Sequence, residues 1–244
     1  MNRYSLNLEM IFYNMGENFK FLSKIRLTQV TFYRLLLPIF IDFDRILYLD
    51  GDTLVFKDLS EIYQEDFKDN YILGILDYLS YGVDYLGLKS DKYINAGTIL
   101  LNLEKIRKDR KYYDLINITN NKYLKNNDQT SINYVLYPKI GKMPNKYIFF
   151  NFHDRLDIEL YVKSLRQKID LGELEEFYSN PTIIHYVLCV PKIWISKTKY
   201  IKKVTKCEER KNCSCMRDHY LWMTFAKKTD FYEEIYKYYR RRNK

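Results

Sequence analysis

Two aspartates, Asp50 and Asp52, flank Gly51 at the end of an apolar run in the stretch DRILYLDGDTLVF, residues 44–56. Side chains at i and i+2 of an extended segment point to one side, which sets these carboxylates about 5 to 7 Å apart by strand geometry. At that separation they repel unless a cation lies between them or one takes up a proton. A divalent ion resolves the conflict, because hard oxygen ligands suit Mg²⁺ or Mn²⁺ and such ions complete their shells with substrate phosphate oxygens. Gly51 lets the backbone turn and come close to a ligand. Taken alone, the motif also fits a solvated acidic turn after a strand.

The elements that must position this pair follow from the hydrophobic pattern. The chain has 244 residues, 47% of them hydrophobic and 17% aromatic, enough for one domain with an appendage or for two small ones. Short apolar runs alternate with amphipathic stretches, the pattern of an α/β fold with a mainly parallel sheet flanked by helices. EMIFYN (9–14) reads as a strand, TQVTFYRLLLPIFI (28–41) as a helix interrupted by Pro38, and RILYL (45–49) as a strand buried on both faces. DLSEIYQED reads as a short helix with Asp58 or Ser60 near its start. YILGILD (71–77) and TILLNL (98–103) are expected as central strands, EKIRKDRKYYDLI and NDQTSINYVLY as helices, and PTIIHY (181–186) as a last strand. In such sheets ligands sit beyond the carboxyl ends of the strands, where Asp50 and Asp52 are expected.

Several function classes fall away. The longest apolar runs, such as LLLPIFI at 35–41, are well short of the roughly 20 residues a spanning helix needs. The N-terminal stretch lacks the apolar core and small-residue cleavage site of a secretory signal, so a cytoplasmic location is expected. With four cysteines, Cys189, Cys207, Cys213 and Cys215, reduced thiols are expected rather than bridges. A zinc site from Cys207, Cys213, Cys215 and His219 is conceivable, although the spacing matches no common ribbon or finger.

The net charge of +9 lies at one end: residues 197–244 carry 15 basic and 6 acidic side chains, and residues 1–196 carry 25 of each. The same tail holds Trp222, Phe225, Phe231, Tyr232, Ile235, Tyr236 and Tyr239 at roughly helical spacings. Aromatics beside Lys and Arg suit a segment lying on an anionic membrane surface. They equally suit a helix that packs its aromatics on the body and leaves its charges in water. Nucleic acid is not an expected partner, since no zinc knuckle or aromatic sheet motif accompanies the charge.

The stretch FYRLLLPIFIDFDRILYLDGDTLVFKDLSEIYQED resembles the glycosyltransferases of family 8, the bacterial galactosyl- and glucosyltransferase and glycogenin-like group, around their Asp-x-Asp motif. YINAGTILLNLEKIRK, NDQTSINYVL, IIHY and LWMTFAKKTDFYEEI follow in the family's order, so the resemblance spans roughly 28–235. It implies a GT-A nucleotide-diphospho-sugar transferase fold over 1–196, followed by a basic aromatic helical segment, 197–244. The implied activity is retaining transfer of a hexose from a UDP-sugar, UDP-glucose or UDP-galactose, to a glycan or lipid-linked acceptor in cell-surface polysaccharide synthesis; the charge pattern of the tail would then set it at the inner membrane face.

Carried over residue by residue, the resemblance implies that Asp50, Asp52 and His185 hold Mn²⁺ (or Mg²⁺) against the diphosphate. Arg34, Asp77, Asn95, Gly97 and Lys192 would face the donor, and Asp128 and Gln129 would lie beside the anomeric carbon. Five of them have a plainer alternative. Arg34 could be a helix-surface arginine, Asn95 a turn asparagine, Asp77 a loop aspartate, Asp128 a helix cap and His185 a satisfied core histidine. His153 and His219 are expected to be structural.

Two departures from the family pattern stand out. Leu188 occupies the usual glycine position after His185, and Pro191-Lys192-Ile193-Trp194 comes one residue late. Before Arg34 only SLNLEMIFYNM, which resembles a later strand, stands where the family opens with a nucleotide-binding strand, so roughly 50 to 70 residues of a usual domain are expected to be missing, through a misplaced start or an N-terminal truncation. An inactive family member serving as a binding or scaffold protein is therefore the competing expectation.

Overall fold

The computed structural model describes residues 29–77, 86–88, 92–121, 124, 127–150, 180–186, 224–229 and 233. A 3-10 helix, Gln29–Leu36, runs into α1, Leu37–Phe40, with Pro38 in the first turn, where its missing N–H costs nothing. Then come β1 (Arg45–Leu49), β2 (Thr53–Val55), α2 (Ser60–Tyr63), β3 (Ile72–Leu76) and β4 (Ile94–Asn102). They are followed by α3 (Leu103–Lys108), α4 (Lys111–Asn121), α5 (Asn127–Leu136), β5 (Ile140–Lys142), β6 (Ile148–Phe150) and β7 (Ile183–His185). Asp58 Oδ1 accepts from the Ser60 N–H at 2.7 Å, opening α2 as its residue type suggests.

Two sheets form, one ordered β1-β4-β3-β5 and one ordered β2-β7-β6. The expected mainly parallel arrangement is corrected here: β4 is antiparallel to both β1 and β3, and β2 is antiparallel to β7, whereas β3–β5 and β6–β7 are parallel. The sheets are mixed. Continuous apolar runs report burial on both faces, and β3 and β4 are buried because they are interior strands; strand direction leaves no mark on such runs. RILYL is also corrected, since every residue of β1 is only half-buried and the strand lies at the sheet's edge among the described residues. The expected single helix after β4 is two, because Arg110 takes a left-handed φ of 53° between α3 and α4.

The core lies between the first sheet and the helices, with Phe32, Leu35, Leu36, Ile72, Ile94, Ile99, Ile106 and Ile132 all buried. Burying such side chains is worth about 1.5–3 kcal/mol each. It fixes α5 and the 3-10 helix relative to β4, and these carry Arg34, Asp128 and Gln129. The strand expected at 9–14, Lys192, His153, the cysteine and His219 cluster, and the boundary at 196 all lie outside the described residues. Of the aromatic tail, Phe225 meets Phe56 edge-on with centroids 5.0 Å apart, so this ring packs on the body.

Candidate metal and sugar-donor site

Asp50, Gly51 and Asp52 join the two sheets. The Asp50 N–H donates to the Gly97 carbonyl of the first sheet at 2.7 Å, and the Asp52 carbonyl accepts from the Tyr186 N–H beside the second at 2.9 Å. The pair sits in a turn rather than on a continuing strand, closed by Thr53, whose N–H and hydroxyl both donate to the Asp50 carbonyl at 3.2 and 2.9 Å. Because β2 pairs with β7 in the register Thr53↔His185, the imidazole arrives beside this turn from 133 residues downstream of Asp52.

His185 Nε2 lies 3.1 Å from Asp52 Oδ1 and 3.7 Å from Asp50 Oδ2. One ligand atom from each of the three residues falls within 4.8 Å of the others, tighter than strand spacing alone implies because the turn folds the pair inward. The imidazole is almost fully buried, at 3% exposure. Gly97 forms the floor. A Cβ there would overlap His185 Cε1 and come 2.6 Å from Asp50 Oδ2, so only glycine leaves the cluster room. Two carboxylate oxygens and an imidazole nitrogen are donors that suit Mn²⁺, and Mg²⁺ through the oxygens. The residues fit a divalent ion.

The other half of the site is built by a bulge. Gly74 pairs with Ile99 and Leu76 with Ile94, so two steps on β3 oppose five on β4. The residues between are pushed out of that ladder. Their backbone groups find other partners: the Ala96 N–H donates to Gln129 Oε1 at 3.0 Å, Arg34 donates to the Ala96 carbonyl at 2.7 Å, and the Gly97 N–H donates to Asn95 Oδ1 at 2.9 Å. Gln129 Nε2 in turn donates to Asp77 Oδ2 at 2.7 Å, which fixes both ends of the amide. Asn133, one helical turn after Gln129, ties α5 to the strand by donating to the Ile94 carbonyl and accepting from the Ile94 N–H at 2.9 and 2.8 Å.

Arg34 links the halves. Its guanidinium pairs with Asp50 Oδ1 at 3.0 Å and with Asp128 Oδ2 at 2.8 Å, and it lies 4.6 Å above the Tyr48 ring. With its side chain 9% exposed, it is a largely enclosed strut, not a helix-surface arginine. Burial raises the Asp128 carboxyl to about 6, outweighing the Arg34 charge that favours its ionised form. The Tyr48 hydroxyl donates to Asp50 Oδ1 at 2.8 Å, and burial pushes this phenol above its usual range, so it stays a donor.

Arg34, Asp50, Asp52, Asp77, Asn95, Gly97, Asp128, Gln129 and His185 thus form one hydrogen-bonded and charged constellation, with Lys192 outside the described residues. Sequence reasoning missed Tyr48, Thr53 and Asn133. Two of them carried a usable signal: Tyr48 precedes Asp50 by two on a strand, and Asn133 follows Gln129 by four on a helix.

Solved glycosyltransferases share this fold. The bifunctional glycosyltransferase WbbM in its apo form superposes with a TM-score of 0.63 at 18% identity, covering 88% of this chain and 38% of that one. The galactosyltransferase LgtC in complex with donor and acceptor sugar analogues gives 0.53 at 23% identity, covering 71% and 64%. The architecture is GT-A-like. The chain belongs to glycosyl transferase family 8, whose model matches residues 3–198. Among curated relatives, it is 26% identical over 125 residues to glycosyltransferase GlyE of Streptococcus pneumoniae, covering 50% of this chain and 29% of GlyE. It is 25% identical over 192 residues to general stress protein A of Bacillus subtilis, covering 71% of this chain and 62% of that protein. The chain thus spans less than two thirds of either relative. No helix among the described residues is long and apolar enough to cross a membrane.

Proposed function

We propose that the chain transfers a hexose, glucose or galactose, from a UDP-sugar to a glycan or lipid-linked acceptor hydroxyl, with retention of anomeric configuration. The observation that carries this reading is the convergence of Asp50, Asp52 and His185 over Gly97, three ligand atoms within 4.8 Å, in a chain of family 8. These side chains would hold Mn²⁺ or Mg²⁺. When bound, the cation supplies positive charge against the second negative charge that develops on UDP as the sugar–phosphate bond breaks.

The chain's own residues do the rest. Arg34, held between Asp50 and Asp128, and the bulged Asn95–Gly97 backbone orient the donor sugar beside the diphosphate. Gln129, its amide fixed between Ala96 and Asp77, lies by the anomeric carbon and stabilises the oxocarbenium-like charge there. Pre-fixed dipoles of this kind need no reorganisation as charge develops. Lys192 adds a cation toward the phosphates, and the basic segment 197–244 brings the chain to an anionic inner membrane face where a lipid-linked acceptor would lie.

The test is UDP release with Mn²⁺ and a panel of UDP-sugars, comparing wild type with Asp52→Ala. Wild type should release UDP from one or two hexose donors and the variant should not; equal background rates in both would favour the inactive binding or scaffold protein. Undiminished co-sedimentation with anionic vesicles after deletion of 217–244 would remove the membrane component.

A further inference from the structure

Asp50 receives two donors on a single oxygen. The Tyr48 hydroxyl donates to Oδ1 at 2.8 Å, and Arg34 Nη2 pairs with the same atom at 3.0 Å. A carboxylate oxygen has two lone-pair sites, so Oδ1 is fully engaged. Oδ2 faces His185 Nε2 at 3.7 Å and is the oxygen over which a Cβ on Gly97 would crowd. The two donors are themselves stacked, the Arg34 guanidinium 4.6 Å above the Tyr48 ring, so they hold each other in place. Tyr48 also projects from β1 to the same side as Asp50, two residues on.

We infer that Tyr48 is a positioning residue for the cation site: together with Arg34 it locks Asp50 into offering one oxygen, Oδ2, and thereby favours a small ion that accepts single-oxygen carboxylates over Ca²⁺. This rests on the metal reading of Asp50, Asp52 and His185. Ca²⁺ takes 6–8 oxygens and uses two-oxygen carboxylates readily, whereas Mg²⁺-sized ions demand a tight octahedron. Removing the Tyr48 hydroxyl leaves Arg34 as the one side chain on Asp50 Oδ1 and loosens the carboxylate enough to pivot and present both oxygens.

The experiment is a Mn²⁺ titration followed by electron paramagnetic resonance, with Ca²⁺ as competitor, on the full chain and on Tyr48→Phe, which keeps the ring beneath Arg34. Partners of metal ligands typically contribute about 10–100-fold in metal affinity. Tyr48→Phe should weaken Mn²⁺ about tenfold and Ca²⁺ much less, so that the Mn²⁺-over-Ca²⁺ ratio narrows, with little change in the Tm of the metal-free protein. Tyr71→Phe, which deletes a hydroxyl donating to Asp109 at 2.9 Å, is the control and should bind both ions as wild type does. Unchanged Mn²⁺ affinity in Tyr48→Phe, or equal weakening of both ions, would overturn the inference while leaving the metal reading intact. Wild type that binds no Mn²⁺ would overturn both.

Discussion

Two acidic clusters in this molecule invite comparison. At one end of the first sheet, just before β3, Asp69 takes Lys105 on Oδ1 at 2.8 Å and Lys139 on Oδ2 at 2.7 Å, while Tyr71 donates to Asp109 at 2.9 Å. Hydrogen bonds from the two lysines draw Asp69 down to about 2, and its side chain remains 72% exposed. At the junction of the sheets, Asp50 and Asp52 are 26% and 19% exposed and face a buried imidazole. Each cluster has a tyrosine bonded to a carboxylate. The first brings a lysine to each oxygen of its central aspartate and is complete as it stands. The second shares one arginine with Asp128 and brings one oxygen of each aspartate and the His185 nitrogen within 4.8 Å of one another. A structural ion-pair network and the proposed cation site would therefore differ in where the positive charge comes from.

The largest effect is expected where the second cluster is broken outright: Asp52→Ala should lower the UDP-releasing rate about 10³-fold or more, since it removes a ligand and the leaving-group charge stabilisation that depends on it. Residual Mn²⁺-dependent release near the wild-type rate would equate the two clusters. Filling the floor comes next. In Gly97→Ala the methyl displaces His185 and Asp50, and misplacement by about 1 Å costs about 10²-fold, to be read as kcat/KM at saturating Mn²⁺.

The strut between the halves gives a pH signature. Asp128 sits at about 6 in the fold against an ordinary 3.8, so the fold favours its neutral form. Stability from this group is fully present below about pH 4 and is lost as pH rises through about 6. Denaturant titrations of metal-free wild type and Asp128→Asn should therefore show a stability difference that changes by about 2 kcal/mol between pH 4 and 7, in the direction of wild type losing ground. A pH-independent difference would place the Asp128 carboxylate, ionised, in its ion pair with Arg34 throughout. The smallest effect belongs to the first cluster: Asp69→Asn should leave Mn²⁺ affinity and rate unchanged and move Tm by about 1 °C or less, as exposed pairs do.

Much of the site was legible because its chemistry is local in sequence. Asp50 and Asp52 announce themselves by charge and spacing, whereas Asp128 and Gln129, which alone read as a helix cap, were picked out by the family resemblance. What could not be read was how these pieces meet. The bulge of β4 leaves no mark in NAGTILLNL beyond one glycine, yet it is what turns the Ala96 N–H toward Gln129 and the Ala96 carbonyl toward Arg34. Strand direction was likewise hidden, because an interior strand is apolar on both faces whether its neighbours run with it or against it. Arg34 was expected to face the donor, with a helix-surface cation as the alternative; its place between two carboxylates follows only from the packing of the 3-10 helix on β4 and α5.

The most direct measurement is Mn²⁺ stoichiometry by electron paramagnetic resonance on wild type, Asp52→Asn and His185→Gln, side by side. One bound ion per wild-type chain, lost or greatly weakened in both variants, is the expected result. An ion retained unchanged when either side chain is replaced, or none bound by wild type, would contradict the claim that residues 133 positions apart clasp one cation.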